Sequence, residues 1–378
     1  MLRRLKLLLI PLIISMATLC NATATYPPIP LQTEFGKTII TTCSGFPVTG
    51  ENSIIGRQML AGTENYLREF KHFATQTDAK STSFVIKHVK NITQANVSPI
   101  IIGLVGAQAM LSLIPQLRAK QCLLLFPSEA LPAKTEPLEN VIYFRPSQTH
   151  EITALTNYAI DTKYKKDIAI LHEASQWGQQ LLDTALKVLA ARNIKPVAIA
   201  SYAQGTVEIE QALKKITKAA PNTVLCLADP RPAYNFISSA LNVGLHECLF
   251  LGLSQLSVIQ KLLQVTRGLD IAVTAVVPNA QTSTLPIVQE YNEVMKSFLS
   301  FRDDSPFYFE AFINLSLFEY CLKKIQGPAT IEKIISTFQS FKNVDFKGLS
   351  LTFDPVNRSL SSALWINPGN GYNWTACP

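Results

Sequence analysis

The chain has 378 residues, of which 47% are hydrophobic and 16% charged, and this balance excludes an intrinsically disordered protein. Its formal net charge is +7, but its basic residues are scattered or in short pairs, without the stripe that binds a phosphate backbone. We therefore expect no nucleic-acid partner. About 350 residues beyond an export signal exceed one ordinary core and predict two lobes.

The first elements in the chain predict export, with residues 1–24 as a signal peptide. Three basic residues among the first six precede the apolar stretch 7–19, which is shorter than the ~20 apolar residues that cross a bilayer. Ala22–Ala24 supplies the small-x-small pattern of a cleavage site, which places the mature start near Thr25. Lipidation of Cys20 is a less favoured alternative, because a leucine precedes it, and an uncleaved anchor is a third.

Beyond the signal, short apolar runs alternate with segments whose apolar residues have helical spacing. Continuous apolar strands alternating with amphipathic helices predict parallel sheets that are covered on both faces and built from right-handed crossovers. The predicted strands are 38–42, 99–103, 123–127, 168–172, 197–201, 223–228, 248–252 and 271–277, followed by two short strands within 349–353 and 362–366.

These strands fall into two sets that divide near Phe144, and three helices follow the second set. The two sets have no low-complexity linker between them, so we expect the chain to cross between the lobes more than once and to form a hinge. The predicted fold is α/β, with two Rossmann-like lobes on parallel central sheets and several hinge crossovers. Lobe 1 is predicted to comprise 25–146 and 278–327, and lobe 2 is predicted to comprise 147–277 and 328–378.

Motifs of enzymatic chemistry are missing from the sequence. It contains no GxSxG elbow, Walker loop, HExxH helix or Rossmann glycine fingerprint. The five histidines are dispersed without helical pairing. We therefore predict that the protein is not an enzyme and that it uses no cofactor and no metal. Six cysteines outside the signal permit disulfides in an exported chain, but four lie in apolar runs, so we expect at most one or two bridges.

Four stretches, taken in order, resemble one known family. They are GFPVTGENSIIGRQMLAGTENYLREF (45–70), IIIGLVGAQAM with LLLFPSEALP (100–132), IAILHEASQWGQQLLDTALKVLAARN (168–193) and SSALNVGLHECLFLG (238–252). Together they are similar to the type I periplasmic-binding-protein fold, specifically the leucine/isoleucine/valine-binding family, whose members supply ABC importers. The resemblance covers essentially the whole mature chain. It implies a periplasmic protein that closes like a hinge on a small solute.

The resemblance also implies ligand contacts in the first lobe. In amino-acid binders of the family, hydroxyl side chains and backbone amides of two loops hold the substrate carboxylate. The matching positions here include Ala107 and Gln108 in one loop and Ser128, Glu129 and Ala130 in the next. Of these, only Ser128 retains a hydroxyl, so backbone N–H groups are expected to contribute.

Four further positions match cleft residues of the family. Trp177 corresponds to an aromatic residue that lines the second lobe, with packing of a helix start as its alternative role. Ser254 falls where an acidic residue pairs with the substrate ammonium, and a serine cannot supply that charge. Asp229 or Glu129 could compensate, although a turn or helix-capping role for Asp229 is an equal alternative. Phe307 falls near a cleft-edge aromatic and could equally be a core residue.

The sequence therefore predicts the solute-binding component of an amino-acid-type ABC importer. Its expected ligand is an amino acid, an amide or a small organic acid, and its expected protein partner is a permease in the inner membrane. We expect the binding protein itself to be a monomer. The alternative is an envelope interaction or regulatory protein that keeps the fold without transporting a solute, which the altered carboxylate and ammonium positions would also permit.

Overall fold

A computed structural model describes residues 25–34, 37–73, 82–89, 98–131, 135–267, 269–296, 305–369 and 374–377. The predicted signal peptide, residues 1–24, lies outside this described part. Within it, every helix is too short or too polar to span a bilayer.

The first lobe contains a sheet in which most strands are parallel. Its strands are β1 (Leu31–Glu34), β2 (Lys37–Gly45), β3 (Thr82–His88), β4 (Ile100–Leu104), β5 (Leu123–Leu125) and β6 (Val141–Ile142). β2 pairs in parallel with β3 and with β4, and β5 and β6 continue the parallel order beyond β4. β1 joins antiparallel to β2.

The second lobe contains a second sheet, whose order is β15-β14-β11-β10-β9-β7-β8. β7 to β11 are parallel, whereas β14 and β15 are antiparallel to their neighbours. A separate hairpin joins β12 to β13. These strands are β7 (Ile168–Ala174), β8 (Ala198–Ala203), β9 (Thr223–Leu227), β10 (Leu249–Gly252), β11 (Ile271–Ala275), β12 (Val344–Phe346), β13 (Leu349–Leu351), β14 (Trp365–Asn367) and β15 (Thr375–Ala376).

Helices cover both sheets, and several of them begin at a capping side chain. The hydroxyls of Ser175 and Thr330 accept hydrogen bonds from the third backbone amide beyond them, which satisfies an amide that the helix itself leaves unpaired. The helices are α1 (Ser53–Phe73), α2 (Ala107–Arg118), α3 (Gln148–Asn157), α4 (Gln176–Ala191), α5 (Glu210–Lys218), α6 (Pro230–Ala240), α7 (Ser257–Arg267), α8 (Pro286–Lys296), α9 (Pro306–Lys324) and α10 (Ile331–Gln339).

The central strands β4, β7, β9, β10 and β11 are buried on both faces, as their continuous apolar sequences predict. Along β7, Ile168 and Ile170 pack into one apolar cluster, whereas Ala169 and Leu171 pack into another on the opposite face. Because successive strand side chains point to opposite faces, only a sheet covered by helices on both sides buries all four. The α/β fold with parallel central sheets in two lobes is therefore confirmed.

The chain passes between the two sheets after β6, after β11 and after β13. The first and last of these crossings lie side by side. The Tyr143 amide donates to the Arg358 carbonyl at 2.9 Å, the Leu360 amide donates to the Tyr143 carbonyl at 3.0 Å, and the Ser361 amide donates to the Phe144 carbonyl at 2.9 Å. These backbone hydrogen bonds hold the first and last crossings together, and the crossings form the expected hinge between the lobes.

The packing of the C-terminal part favours a last boundary between the lobes that lies later in the chain than the predicted residue 328. In α10, the Phe338 ring packs edge-on against Phe126 beyond β5, with centroids 5.6 Å apart. Tyr320 of α9 contacts Phe341 and Phe346 in the same way. Only β14 and β15 join the second sheet. We therefore propose that residues 331–351 belong with lobe 1. The sequence could not indicate this, because a short hairpin carries no local signal that assigns it to either lobe.

The six cysteines outside the signal are free thiols in the structure. Five are buried, and Cys377 is half-buried. The five buried thiols therefore behave as small apolar core residues, which is the alternative that their apolar surroundings suggested.

Candidate ligand-binding cleft

The two lobes face each other across a gap at the carboxyl ends of their parallel strands. Arg145 lies in the first crossing and contacts residues of both lobes. Its Nη1 donates at 3.3 Å both to the Ser128 carbonyl, beyond β5 in lobe 1, and to Ser254 Oγ, beyond β10 in lobe 2. Parallel sheets bind ligands beyond the carboxyl ends of their strands, so this gap is the candidate site.

Ala107 and Gln108 begin α2, directly beyond the loop that follows β4. Ala107 is half-buried, and Gln108 is exposed. Gly106 precedes them with a φ of 104°. There is little room for a side chain at this position, because an added Cβ would lie 3.2 Å from Asn52 Nδ2. Glycine permits this left-handed conformation. No side chain caps the start of α2, so its first amides face the loop without a side-chain acceptor.

Ser128, Glu129 and Ala130 form the loop beyond β5; Ser128 and Glu129 are buried, and Ala130 is half-buried. Both the amide and the hydroxyl of Ser128 donate to the Leu104 carbonyl, at 2.9 and 3.1 Å, which fixes the loop against β4. Glu129 is only 7% exposed, and its Oε2 has no hydrogen-bond partner among the described residues. An oxygen buried in this way is costly unless a ligand or water satisfies it.

Burial also changes the acidity of Glu129. It raises the pKa of the carboxyl to about 7. The positive charge of Arg145 opposes this change, whereas the negative charges of Glu151 and Glu310 add to it. A hydrogen bond with Ser128 lowers the pKa. Glu129 is thus poised between its charged and neutral forms at neutral pH.

Asp229 follows β9 in the second lobe and is half-buried. It stands immediately before α6, but its side chain makes no capping hydrogen bond. Its pKa is raised to about 8, first by burial and then by the charges of Glu129, Glu173 and Glu51. Two of these carboxylates come from lobe 1. Asp229 therefore lies within electrostatic reach of lobe 1, and the helix-capping role that its position suggested is not observed.

Tyr202 connects Asp229 to Glu173 within the second lobe. The Asp229 amide donates to the Tyr202 hydroxyl at 3.2 Å, and that hydroxyl donates to Glu173 Oε2 at 3.5 Å. Burial, followed by the charges of Asp229, Glu173 and Glu51, raises the pKa of Tyr202 above its usual range. The three side chains lie at the ends of neighbouring strands, since β7 pairs with both β8 and β9.

Trp177 lies in the first turn of α4, close to the end of β7. The next residue, Gly178, leaves no room for a side chain, because an added Cβ would come within 2.1 Å of the Glu173 carbonyl oxygen. Trp177 is half-buried, and its indole Nε1 is buried without a hydrogen-bond partner in the described part of the chain. A buried tryptophan N–H usually has an acceptor, so this group is available to a ligand.

Ser254 is 6% exposed and is engaged with other residues of the chain. Its amide donates to Glu151 Oε2 at 2.9 Å, and its hydroxyl accepts from Arg145. Arg145 in turn makes a two-pronged ion pair with Glu310, with Nε to Oε1 at 2.9 Å and Nη2 to Oε2 at 2.6 Å. Burial lowers the pKa of Arg145, but the charge and hydrogen bonds of Glu310 outweigh this and raise it overall.

Phe307 is placed in the core of the first lobe. It is 2% exposed and belongs to a compact apolar cluster. The other buried members of this cluster are Phe46, Ile55, Met59, Val105 and Ala311.

A cavity of about 310 Å³ adjoins the gap beside the hinge. Residues of both lobes line it, including Ser128 from lobe 1 and Gln180 and Thr184 of α4 from lobe 2, together with the crossing segments 145–149 and 356–359. A space of this size is at the lower end of the range for small-molecule sites. The acidic side chains lie outside its lining, so it is distinct from the carboxylate-lined part of the gap.

Sequence reasoning missed Arg145, Glu310, Glu173 and Tyr202. One signal was present, because Arg145 stands at the end of the apolar run VIYF and Glu310 stands between aromatic residues in FYFEAF. Charged residues in buried segments are almost always paired, so both could have been identified as buried ions. Their pairing with each other could not be identified, because 165 positions separate the two residues in the chain.

Comparisons with known proteins agree with this architecture. The sequence pattern that defines the periplasmic binding protein family matches residues 46–367. No curated protein matches the chain. A possible leucine/isoleucine/valine-binding protein from Rhodopirellula baltica SH 1 superimposes with a TM-score of 0.77 at 19% identity, covering 92% of this chain and 98% of that one.

Two solved structures with bound solutes are also similar. A solute-binding protein of an ABC transporter from R. palustris, in complex with 4-hydroxybenzoate, has a TM-score of 0.72 at 13% identity and covers 87% of this chain and 92% of its own. A branched-chain amino acid transporter substrate-binding protein from Streptococcus pneumoniae, in complex with isoleucine, has a TM-score of 0.70 at 14% identity, with coverages of 89% and 99%. The chain has the type I fold of these proteins and belongs to the periplasmic binding protein family.

Proposed function

We propose that this protein is the exported solute-binding component of an amino-acid-type ABC importer, which captures a small solute between its lobes in the periplasm and presents it to an inner-membrane permease. One observation carries the proposal. Glu129 of lobe 1 and Asp229 of lobe 2 lie close enough for the charge of one to raise the pKa of the other, and Glu129 Oε2 is buried without a partner among the described residues. A ligand that contacts both lobes stabilises the closed arrangement of a hinged protein.

In this proposal, Glu129, Trp177 and Asp229 contact the solute through their side chains. The loop residues Ala107, Gln108, Ser128 and Ala130 contribute backbone groups and shape. Ser254 acts indirectly, since its hydroxyl is bound by Arg145, and Phe307 supports the first lobe from its core. The protein acts as a monomer, without catalysis and without a cofactor.

The unfilled gap favours solute capture over the alternative of an envelope interaction protein. A fold kept only as an interaction scaffold would be expected to fill its cleft with side chains. Here a cavity of about 310 Å³ remains at the hinge, and buried polar atoms of Glu129 and Trp177 have no partner among the described residues. The similar proteins that were solved with isoleucine and with 4-hydroxybenzoate hold molecules of this size class.

Thermal unfolding against a panel of amino acids, amides, amines and small organic acids tests the proposal. A compound at 100 times its Kd stabilises the folded state by about 2.7 kcal/mol, which raises the unfolding midpoint of a chain this long by roughly 4 °C. We expect at least one compound class to do so at millimolar concentration, and Trp177→Ala to abolish the shift. Tyr164→Ala, which removes an aromatic ring that is 83% exposed, is the control and should retain it.

Two results would contradict the proposal. If no compound raises the midpoint, solute capture loses its support, and protein partners in the envelope become the better explanation. If Trp177→Ala and Tyr164→Ala retain equal shifts, the solute binds away from Trp177.

A further inference from the structure

We propose that the solute is an organic amine that carries positive charge and no carboxylate, held between Glu51 and Glu129 of lobe 1 and Glu173 and Asp229 of lobe 2. This inference rests on the proposed function, because it assigns a ligand class to the same gap.

The second lobe presents its two carboxylates at adjacent strand ends. Glu173, near the end of β7, lies opposite Tyr202 of β8 in the strand register, and Asp229 follows β9, the neighbour of β7 on its other side. The Tyr202 hydroxyl contacts both the Asp229 amide and Glu173 Oε2. A phenol hydroxyl is uncharged, so this contact, at 3.5 Å from Glu173 Oε2, supplies no counter-charge to the carboxylate.

The first lobe contributes two more carboxylates opposite them. Glu51 lies in the loop between β2 and α1, and it acts electrostatically on both Asp229 and Tyr202. Glu129 is more than nine-tenths buried, and its Oε2 has no partner in the described part of the chain. Every charge that shifts the pKa of Asp229 is another carboxylate. A buried oxygen without a donor, beside further negative charges, points to a missing positive group.

The neighbouring cation of the chain cannot supply that group. Arg145 acts on Glu129, but its Nε and Nη2 are bound to Glu310, and its Nη1 donates to the Ser128 carbonyl and to Ser254 Oγ. A ligand carboxylate would therefore meet four acidic side chains and would find these guanidinium donors occupied. Such contacts are unfavourable, and they select against anions and disfavour zwitterions.

An organic cation fits the arrangement better than a metal ion does. In the described part of the chain, no three histidine, cysteine, aspartate or glutamate side chains are grouped closely enough to hold a metal. Four carboxylates spread over two lobes instead suit N–H donors that are separated along an organic molecule. Trp177, in the first turn of α4 just beyond the end of β7, adds an aromatic surface of the kind that binds alkylammonium groups.

Titration calorimetry of the chain from Thr25 onward tests this inference with four probes: 1,4-diaminobutane, benzylamine, isoleucine and benzoate. The titrations are run at equal ionic strength and about pH 8.5. This is above the raised pKa values of Glu129 and Asp229 and below the ordinary amine pKa of about 10. We expect one or both amines to bind at least about tenfold more tightly than isoleucine or benzoate.

Variants locate the binding. Glu129→Gln and Asp229→Asn should each weaken amine binding at least about tenfold, because each leaves one less carboxylate for the cation. Glu247→Gln, which removes an exposed carboxylate at the opposite end of β10, should bind as the wild type does. All three variants are first compared by circular dichroism and unfolding midpoint, so that a misfolded variant is recognised.

The outcomes separate this inference from the proposed function. Binding of isoleucine or benzoate with no response to either amine would overturn the amine assignment while leaving solute capture intact. Amine binding that Glu129→Gln and Asp229→Asn leave unchanged would also overturn it, because the ligand would then lie elsewhere, for example in the hinge cavity. If none of the four probes binds, the amine assignment fails, and the broader thermal panel decides whether solute capture fails with it.

Discussion

Replacing Glu310 by leucine is expected to lower the free energy of unfolding by about 3–5 kcal/mol. Glu310 accepts two hydrogen bonds from Arg145, and the two side chains are only 2% and 8% exposed. Without the carboxylate, the buried guanidinium loses its hydrogen-bonded counter-ion, and this is far more costly than losing an exposed pair. Urea unfolding monitored by circular dichroism measures the change.

A matched control and a double variant make this prediction specific. Glu293→Leu breaks the exposed pair with Lys296, whose side chains are 69% and 68% exposed, and it should cost about 1 kcal/mol or less. Arg145→Met combined with Glu310→Leu removes both buried charges, and it should recover at least about half of the single-variant loss. A double variant as unstable as the sum of both single variants would show that the pair is not the source of the effect.

The ligand-free protein is expected to lose stability as the pH rises from about 4 to about 8. The carboxyl pKa values are raised in the folded state, from 4.5 to about 7 for Glu129 and from 3.8 to about 8 for Asp229. Between the ordinary and the raised values, the folded state holds protons that the unfolded state has released, so increasing pH favours unfolding. The loss from Glu129 alone is on the order of 3 kcal/mol, and Asp229 adds a loss of the same sign.

The difference between the wild type and the Glu129→Gln/Asp229→Asn double variant isolates this effect from other titrating groups. The two proteins should have similar stability near pH 4, and the double variant should be the more stable one at pH 8. The charges that face these carboxyls are those of Arg145, Glu151 and Glu310 around Glu129, and those of Glu51 and Glu173 around Asp229. Glu247→Gln should keep the wild-type pH profile. Parallel profiles for the wild type and the double variant would contradict the prediction.

Much of the fold was predictable because buried parallel strands are continuous apolar runs. β4, β7, β9 and β11 were all predicted near their observed positions for this reason. β3 was missed, since its sequence TSFVIKH includes polar residues at both ends and a lysine near its carboxyl end. Its pairing with β2 is a tertiary interaction that no local pattern records.

Less of the candidate site was predictable. The sequence drew attention to Glu129, Trp177 and Asp229, which the structure places on loops and a helix start beside the gap. The role of Ser254 could not be inferred, since its partner Arg145 comes from a crossing segment 109 positions earlier. The acidic character of the gap was hidden for the same reason, because Glu51 and Glu173 approach Asp229 only in the folded chain.

The central claim is that one small molecule contacts both lobes. The most direct measurement takes a compound that raises the unfolding midpoint of the wild type and repeats the titration with Glu129→Gln, altered in lobe 1, and with Asp229→Asn, altered in lobe 2. We predict that each single substitution reduces the shift at every ligand concentration, while Glu247→Gln leaves it unchanged. A shift that responds to substitution in one lobe only would show a ligand held by that lobe alone and would contradict closure of the two lobes around a shared solute.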